Sequence, residues 1–303
     1  MITYLEKSSA NIERINPNVI KNRFDLAGES NYDLIRYVDK DEDITLMVRY
    51  KDNTAYLGLH LVPISKKTLT KIIKFVFRNN KKILYVAYEY GYHPLGENPI
   101  RKNHFRIALP ETHEQLQERL SKKGRYNISR EKRLLDQNFG SWSIQEYPAF
   151  AVEAEDAWQK YFLYKSANYG EYWKNYNRDQ YCKSFPVSHV YTLTLGKERY
   201  IAAVLLSYEY CPVVYLENLT YDPELSKYSL GKILYDEFLK IMISKNKPEL
   251  FLLGGNFNYK KRYGSEEENV YNCSILKNAG WYKIKVFIWK VLEAIKNKFK
   301  KVK

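Results

Sequence analysis

Cysteine is scarce in this chain of 303 residues: Cys182, Cys211 and Cys273 are far apart and odd in number. Without a C-x-x-C pair they exclude a disulfide scaffold and a zinc-finger spacing. The five histidines (His60, His93, His104, His113 and His189) show no H-E-x-x-H pattern, so no metal is expected. Glycine is also sparse, at 13 residues against 29 tyrosines, and neither a low-complexity tract nor a short-period repeat is present. Acids are outnumbered, 35 against 49 bases. No apolar run reaches the roughly 20 residues that span a bilayer. The opening MITYLEKSSA lacks a basic stretch followed by an apolar one, so no signal peptide is expected there. These absences favour a reducing, cytoplasmic setting.

The excess positive charge is unevenly placed. Residues 283–303 hold eight lysines against one acid, Glu293, and so supply seven of the net +14. A second basic cluster comprises Lys122, Lys123, Arg125, Arg130, Lys132 and Arg133. Such patches favour anionic partners: phosphates, nucleic acid or acidic lipid. The tail also carries Ile288, Val291, Leu292, Ile295, Phe299 and Val302 along one helical stripe. That pattern suits peripheral contact with the inner face of an anionic membrane, and equally a helix docked on its own domain.

At this length a single hydrophobic core usually gives way to two, so two domains or fused halves are expected. Residues 44–50 and 54–61 read as a hairpin turning at Lys51-Asp52-Asn53. Residues 66–78 have helical apolar spacing, and 82–88 and 104–109 read as strands. Thr112 with Gln115 forms a capping-box pattern for a short helix, and Gly124 separates it from a basic helix over 126–137. Helices are expected over 153–166 and 172–183. Three strands follow, at 189–195, 200–208 and 213–219, then a helix to about 244 and a strand at 250–253. Meander strands, a helix and a further strand describe an α+β fold with a mixed sheet.

Chemistry concentrates between Tyr221 and Gly264. Ser229-Leu230-Gly231 opens a helix directly after a strand, and the head of such a helix offers unpaired N–H groups and a positive dipole end to a pyrophosphate. Ser229 would cap it, Gly231 would let the backbone approach, and Lys232 would add charge; an ordinary helix start is the plainer reading. Glu217, in the strand before the turn, is placed to take a proton from an amine, or else serves as an edge or salt-bridge residue. Strict alternation sets Tyr215, Glu217 and Leu219 opposite Val214, Leu216 and Asn218. Asp222 is a rival base with a turn-forming role of its own.

Three local patterns resemble the GNAT superfamily of acyl-CoA N-acyltransferases, in its FemAB-like and CelD-like branch. The first is Leu109-Pro110 with a helix and then Lys123-Gly124-Arg125. The second is Tyr221-Asp222 followed by Ser229-Leu230-Gly231, with Leu230 where the family usually has proline. The third is Gly255, Tyr259-Lys260 and Tyr263-Gly264. The resemblance implies a GNAT-like fold in two tandem halves: a diverged one over 1–150 and a catalytic one over 151–282, followed by the basic tail.

It further implies acetyl-CoA or another acyl-CoA as co-substrate, bound by Ser229, Gly231 and Lys232. Glu217 and Tyr259 would be catalytic, Tyr259 as acid toward the departing thiolate or simply packed. Lys123, Arg125 and Lys260 would hold the acceptor, an amino sugar or lipid-linked sugar precursor of cell-surface polysaccharide; a solvated basic surface is the plainer account of these three. Two alternatives stand beside this reading. One is a FemX-like transferase using aminoacyl-tRNA on a peptidoglycan precursor. The other is a non-catalytic nucleic-acid or membrane-surface binder, although no nucleic-acid module signature is present.

Overall fold

The computed structural model describes residues 2–5, 32–38, 40, 43–58, 64–96, 98–185, 187–210, 213–252, 261 and 263–277. Gly254, Gly255, Tyr259, Lys260 and the tail 283–303 lie outside the described residues, as does Cys211.

The chain divides into two compact units that are discontinuous in sequence. Unit 1 comprises 1–8, 31–102 and 269–303; unit 2 comprises 9–30 and 103–268. The basic helix belongs to unit 2. Unit 1 takes its last strand from beyond residue 265, whereas unit 2 begins with the strand that closes its sheet.

In unit 1 the strand order is β1 (Ile2–Leu5), β2 (Tyr32–Val38), β3 (Asp43–Lys51), β4 (Thr54–Leu57), β5 (Tyr85–Gly91) and then β12 (Glu266–Leu276). The β3–β4 pair is the expected hairpin, with Asp52 in the left-handed region at φ 52°. Helix α1 (Lys66–Asn79) is started by Ser65, whose Oγ accepts from the Thr68 amide at 3.1 Å. It buries Leu69, Ile72, Ile73 and Val76 and crosses from β4 to a parallel β5.

Unit 2 repeats that pattern. Its strand order is β7 (Trp142–Pro148), β8 (His189–Leu195), β9 (Tyr200–Tyr210), β10 (Val213–Tyr221), β11 (Glu249–Phe251) and then β6 (Ile100–Ala108). Strands β7 to β10 form an antiparallel meander. Helix α6 (Leu230–Ser244) then crosses to β11, which lies parallel to β10, while β6 pairs antiparallel with β11. A meander, a crossover helix, a parallel strand and a closing antiparallel strand thus occur in each unit. This is the GNAT-like α+β arrangement with a mixed sheet.

The remaining helices of unit 2 are α2 (His113–Glu118), α3 (Lys122–Phe139), α4 (Glu155–Tyr169) and α5 (Arg178–Ser184). The capping box at α2 is present, with Thr112 and Gln115 exchanging hydrogen bonds. Gly124 does not interrupt α3. It sits in the first turn, where its amide donates to the Ser121 Oγ cap at 3.1 Å. The helix expected over 172–183 is instead a 3-10 turn, Glu171–Asn175, followed by α5, which Asn177 starts with a capping box of its own.

Two apolar clusters cover the two faces of unit 2's sheet. One packs Leu230, Ile233, Leu234 and Phe238 of α6 against Leu193, Leu205, Val214 and Leu216. The other packs Trp158, Tyr161 and Phe162 of α4 and Tyr181 of α5 against Val190, Val204 and Leu206.

Candidate active site

Strand β10 changes register against β9 between Leu216 and Asn218, which makes Glu217 the extra residue of a β-bulge. Beyond it the parity of the strand flips. Val214 and Leu216 lie in the α6-side cluster as expected, but Leu219 and Tyr221 pack there too. Leu219 therefore does not share a face with Glu217. Period-two alternation cannot anticipate a bulge, and that accounts for the difference.

Glu217 lies on the other side, within electrostatic reach of Tyr161, Lys165, Tyr181 and Cys182. Tyr161 and Lys165 are one helical turn apart on α4 and so face the same way. Lys165 is only 7% exposed, and burial pushes its ammonium pKa down to about 8 against the opposing pull of Glu217. Its Nζ lies 4.2 Å from the Tyr169 ring centroid and 5.5 Å from that of Trp173. The Tyr161 and Tyr181 hydroxyls are 3.1 Å apart, and burial holds both phenols far above their ordinary range. They stay protonated and can only act as hydrogen-bonding hydroxyls. Asn168 ties α4 to the end of β10 by donating to the Tyr221 carbonyl at 2.9 Å.

The bulge lies two residues past Tyr215, the last position at which, among the described residues, β10 pairs with β11. Leading up to it, Tyr208, Tyr215, Phe251 and His104 stack in sequence across β9, β10, β11 and β6, at centroid spacings of 4.6, 5.1 and 5.0 Å. A half-buried acid, a buried amine with a depressed pKa and two neutral phenols at a break in strand pairing can accept and relay a proton.

The head of α6 is the second candidate locus. Ser229 is in the left-handed region at φ 54° and makes no side-chain cap, contrary to the role expected of it. Its Oγ instead donates to Glu131 Oε1 at 3.0 Å, and Lys232 Nζ donates to the same oxygen at 3.4 Å and to Ser229 Oγ at 3.0 Å. Gly231 has a packing reason to be glycine, since a Cβ there would meet Leu219 Cδ2 at 2.9 Å and Tyr221 Cδ1 at 3.3 Å. A carboxylate of the protein thus already engages the hydroxyl and ammonium expected to meet a coenzyme A diphosphate.

One turn further along, Asp236 is fully buried and surrounded by donors. Lys132 Nζ lies 2.7 Å from it, Gln117 and Tyr263 donate to its other oxygen, and His113 Nε2 lies 3.5 Å away. Burial alone would raise its pKa, but the His113 and Lys132 contacts prevail and hold it well below the usual carboxylate range. This network joins α2, α3 and α6 and is structural.

Arg125, expected to grip an acceptor, is placed on backbone: its Nη1 donates to the Leu120 carbonyl at 2.7 Å, closing the α2–α3 corner. Lys123 is exposed beside it. Asp222 accepts from the Glu224 amide at 3.0 Å and from the Tyr200 hydroxyl, which confirms its turn-forming role. Sequence reasoning missed Lys165 and Glu131. The signals were there: Tyr161, Lys165 and Tyr169 recur every four residues, and Glu131 falls on the Ile128–Leu135 stripe of α3.

A parallel β10–β11 pair joined by a helix, with a bulge in the first strand, decides the family comparison. Residues 122–261 match the acetyltransferase (GNAT) domain family. The match runs from α3 through β11, a little under half of the chain. Among solved structures the chain is similar to FemX, with TM-score 0.60 at 7% identity, covering 94% of this chain and 99% of that one. It is also similar to the C-terminal domain of a putative lysylphosphatidylglycerol synthetase from Agrobacterium fabrum, with TM-score 0.55, 10% identity, and 93% and 96% covered. L-PGS from Bacillus licheniformis gives TM-score 0.53 at 11% identity, with 94% and 95% covered. At these identities the likeness is one of fold. No curated protein matches the chain. No helix among the described residues is long and apolar enough to cross a membrane.

Proposed function

We propose that the protein is an N-acyltransferase that moves an acyl group from an activated donor to an amino group beside the β10 bulge. The observation that carries this reading is Glu217 itself, the bulged residue, facing Lys165, Tyr161 and Tyr181. An attacking amine forms the new C–N bond and must lose a proton, which Glu217 accepts directly or through water. The tetrahedral oxyanion is held by backbone N–H groups of the strand. The bond to the leaving group then breaks, and the departing atom takes up a proton, for which Tyr259 is the donor in this reading. Lys165 balances the charge of Glu217 and holds it in place. Lys123 and Lys260 meet an anionic acceptor, while Arg125 fixes the corner that presents Lys123.

The acceptor in this reading is an amino group of a cell-envelope precursor, an amino sugar or a lipid-linked sugar. Two donors are in contention. An acyl-CoA is the one the GNAT family suggests. An aminoacyl ester carried on tRNA, delivered to a peptidoglycan precursor, is favoured by the FemX-like fold and by the state of the α6 head. The test is direct: pure protein is incubated with labelled acetyl-CoA or charged tRNA and a panel of amino-sugar and peptidoglycan-precursor acceptors. Label appearing in an acceptor supports the reading. Absence of transfer from every donor, together with salt-sensitive oligonucleotide binding, would favour a binding protein instead.

A further inference from the structure

The head of α6 is already supplied with an anion by the protein itself. Glu131 projects from the buried stripe of α3, between Ile128 and Leu135, and is only 7% exposed. Its Oε1 takes the Ser229 hydroxyl at 3.0 Å and the Lys232 ammonium at 3.4 Å. Its Oε2 is buried and, among the described residues, has no hydrogen-bond partner. A carboxylate with one oxygen left open is an expensive way to fasten two helices. The fastening is moreover done elsewhere, because the next residue, Lys132, reaches Asp236 at 2.7 Å and Glu237 at 2.6 Å from the same helix.

We propose that Glu131 is a donor-selectivity residue: its carboxylate stands in for an anionic ligand at the α6 head and excludes the diphosphate of coenzyme A. Helix heads attract anions, and the first anion to arrive there here is a tethered one. A second, doubly charged anion would meet like charge in a partly desolvated site, with Ser229 and Lys232 both committed. The donor is therefore one whose carrier does not seat a diphosphate on α6. The inference deepens the acyl-transfer reading by restricting its donor and rests on that reading for its meaning.

Calorimetric titration with coenzyme A, and separately with inorganic pyrophosphate, tests it on wild type, Glu131→Gln and Glu131→Ala. Wild type is expected to show no saturable binding at millimolar ligand. Both variants are expected to bind coenzyme A, in competition with pyrophosphate, at least about tenfold more tightly than wild type. Wild-type binding as tight as that of the variants overturns the proposal, and so does a failure of all three proteins to bind. Should melting curves show that neither variant folds, wild type decides alone. Coenzyme A binding that pyrophosphate displaces and Lys232→Met abolishes would then overturn the proposal, and no binding would sustain it. The two readings fail separately. Wild-type coenzyme A binding removes the selectivity role and leaves acyl transfer standing, whereas variants that gain binding in a protein inert with every donor do the reverse.

Discussion

The two faces of β10 differ as a core differs from a reaction site. Toward α6 the strand presents Val214, Leu216, Leu219 and Tyr221, which pack on Leu230, Ile233 and Leu234. The polar groups on that side are consumed: Asp236 has its ring of donors, and Glu131 holds Ser229 and Lys232. Toward α4 the strand presents Tyr215 and Glu217, facing phenols and a buried lysine whose pKa is depressed. One inserted residue makes the difference. The bulge turns a carboxylate into the α4 face and returns Leu219 to the core. The same strand thereby serves stability on one side and, in the proposed reading, proton transfer on the other.

The contrast can be broken most severely at Asp236. Asp236→Asn removes the buried charge at the centre of this network, leaves Lys132 with Glu237 alone, and should cost about 3 kcal/mol in urea unfolding. Asp236 has a folded pKa below its ordinary 3.8, so its contribution is complete above that value and is lost as pH falls through the folded pKa. Acid titration of the wild type should therefore show unfolding that starts below about pH 4, and Asp236→Asn should lack that component.

A smaller loss is expected at Gly231. Gly231→Ala pushes a methyl group onto Leu219 and Tyr221, costing about 1–2 kcal/mol in melting experiments despite the better helix propensity of alanine. If stability is unchanged, the packing reason for this glycine is mistaken.

Lys165 sharpens the comparison through pH. Its folded pKa of about 8 lies below the ordinary 10.5, so between these values the unfolded chain binds the extra proton. Wild-type stability relative to Lys165→Met should consequently rise with pH across that window, by about 2–3 kcal/mol. Denaturation of both proteins at several pH values checks the sign.

The least effect is expected at Cys182, whose thiol burial pushes up to about 12. In native protein it should react with iodoacetamide far more slowly than a free thiol, and at the ordinary rate once unfolded.

What could be read from the sequence follows from how local each signal is. The β8–β9–β10 meander, α6 and the Thr112 capping box were legible because alternation, helical spacing and caps lie within a few residues. Strand β7 ends in Pro148 and is mostly half-exposed, and β12 begins Glu266-Glu267-Glu268; neither looks like a strand until its partner is known. The closing of unit 1 by β12 was equally hidden, because it depends on pairing β12 with β5 across most of the chain. The place of Glu217 in the strand before the turn was legible, but the bulge that turns it toward α4 was not. Ser229 and Arg125 were assigned by pattern to ligands, but their hydrogen bonds go to Glu131 and to the Leu120 carbonyl. Lys165 stayed hidden because a lysine on a helix reads as solvated until the strand opposite it is known.

The central claim is that Glu217 accepts the proton of the attacking amine at the bulge. Its most direct test is the transfer rate of Glu217→Gln against wild type, with whichever donor and acceptor prove active and with melting curves as the folding control. The account predicts a fall in turnover of about a hundredfold or more at an unchanged melting temperature. Turnover equal to wild type in the folded variant would contradict it.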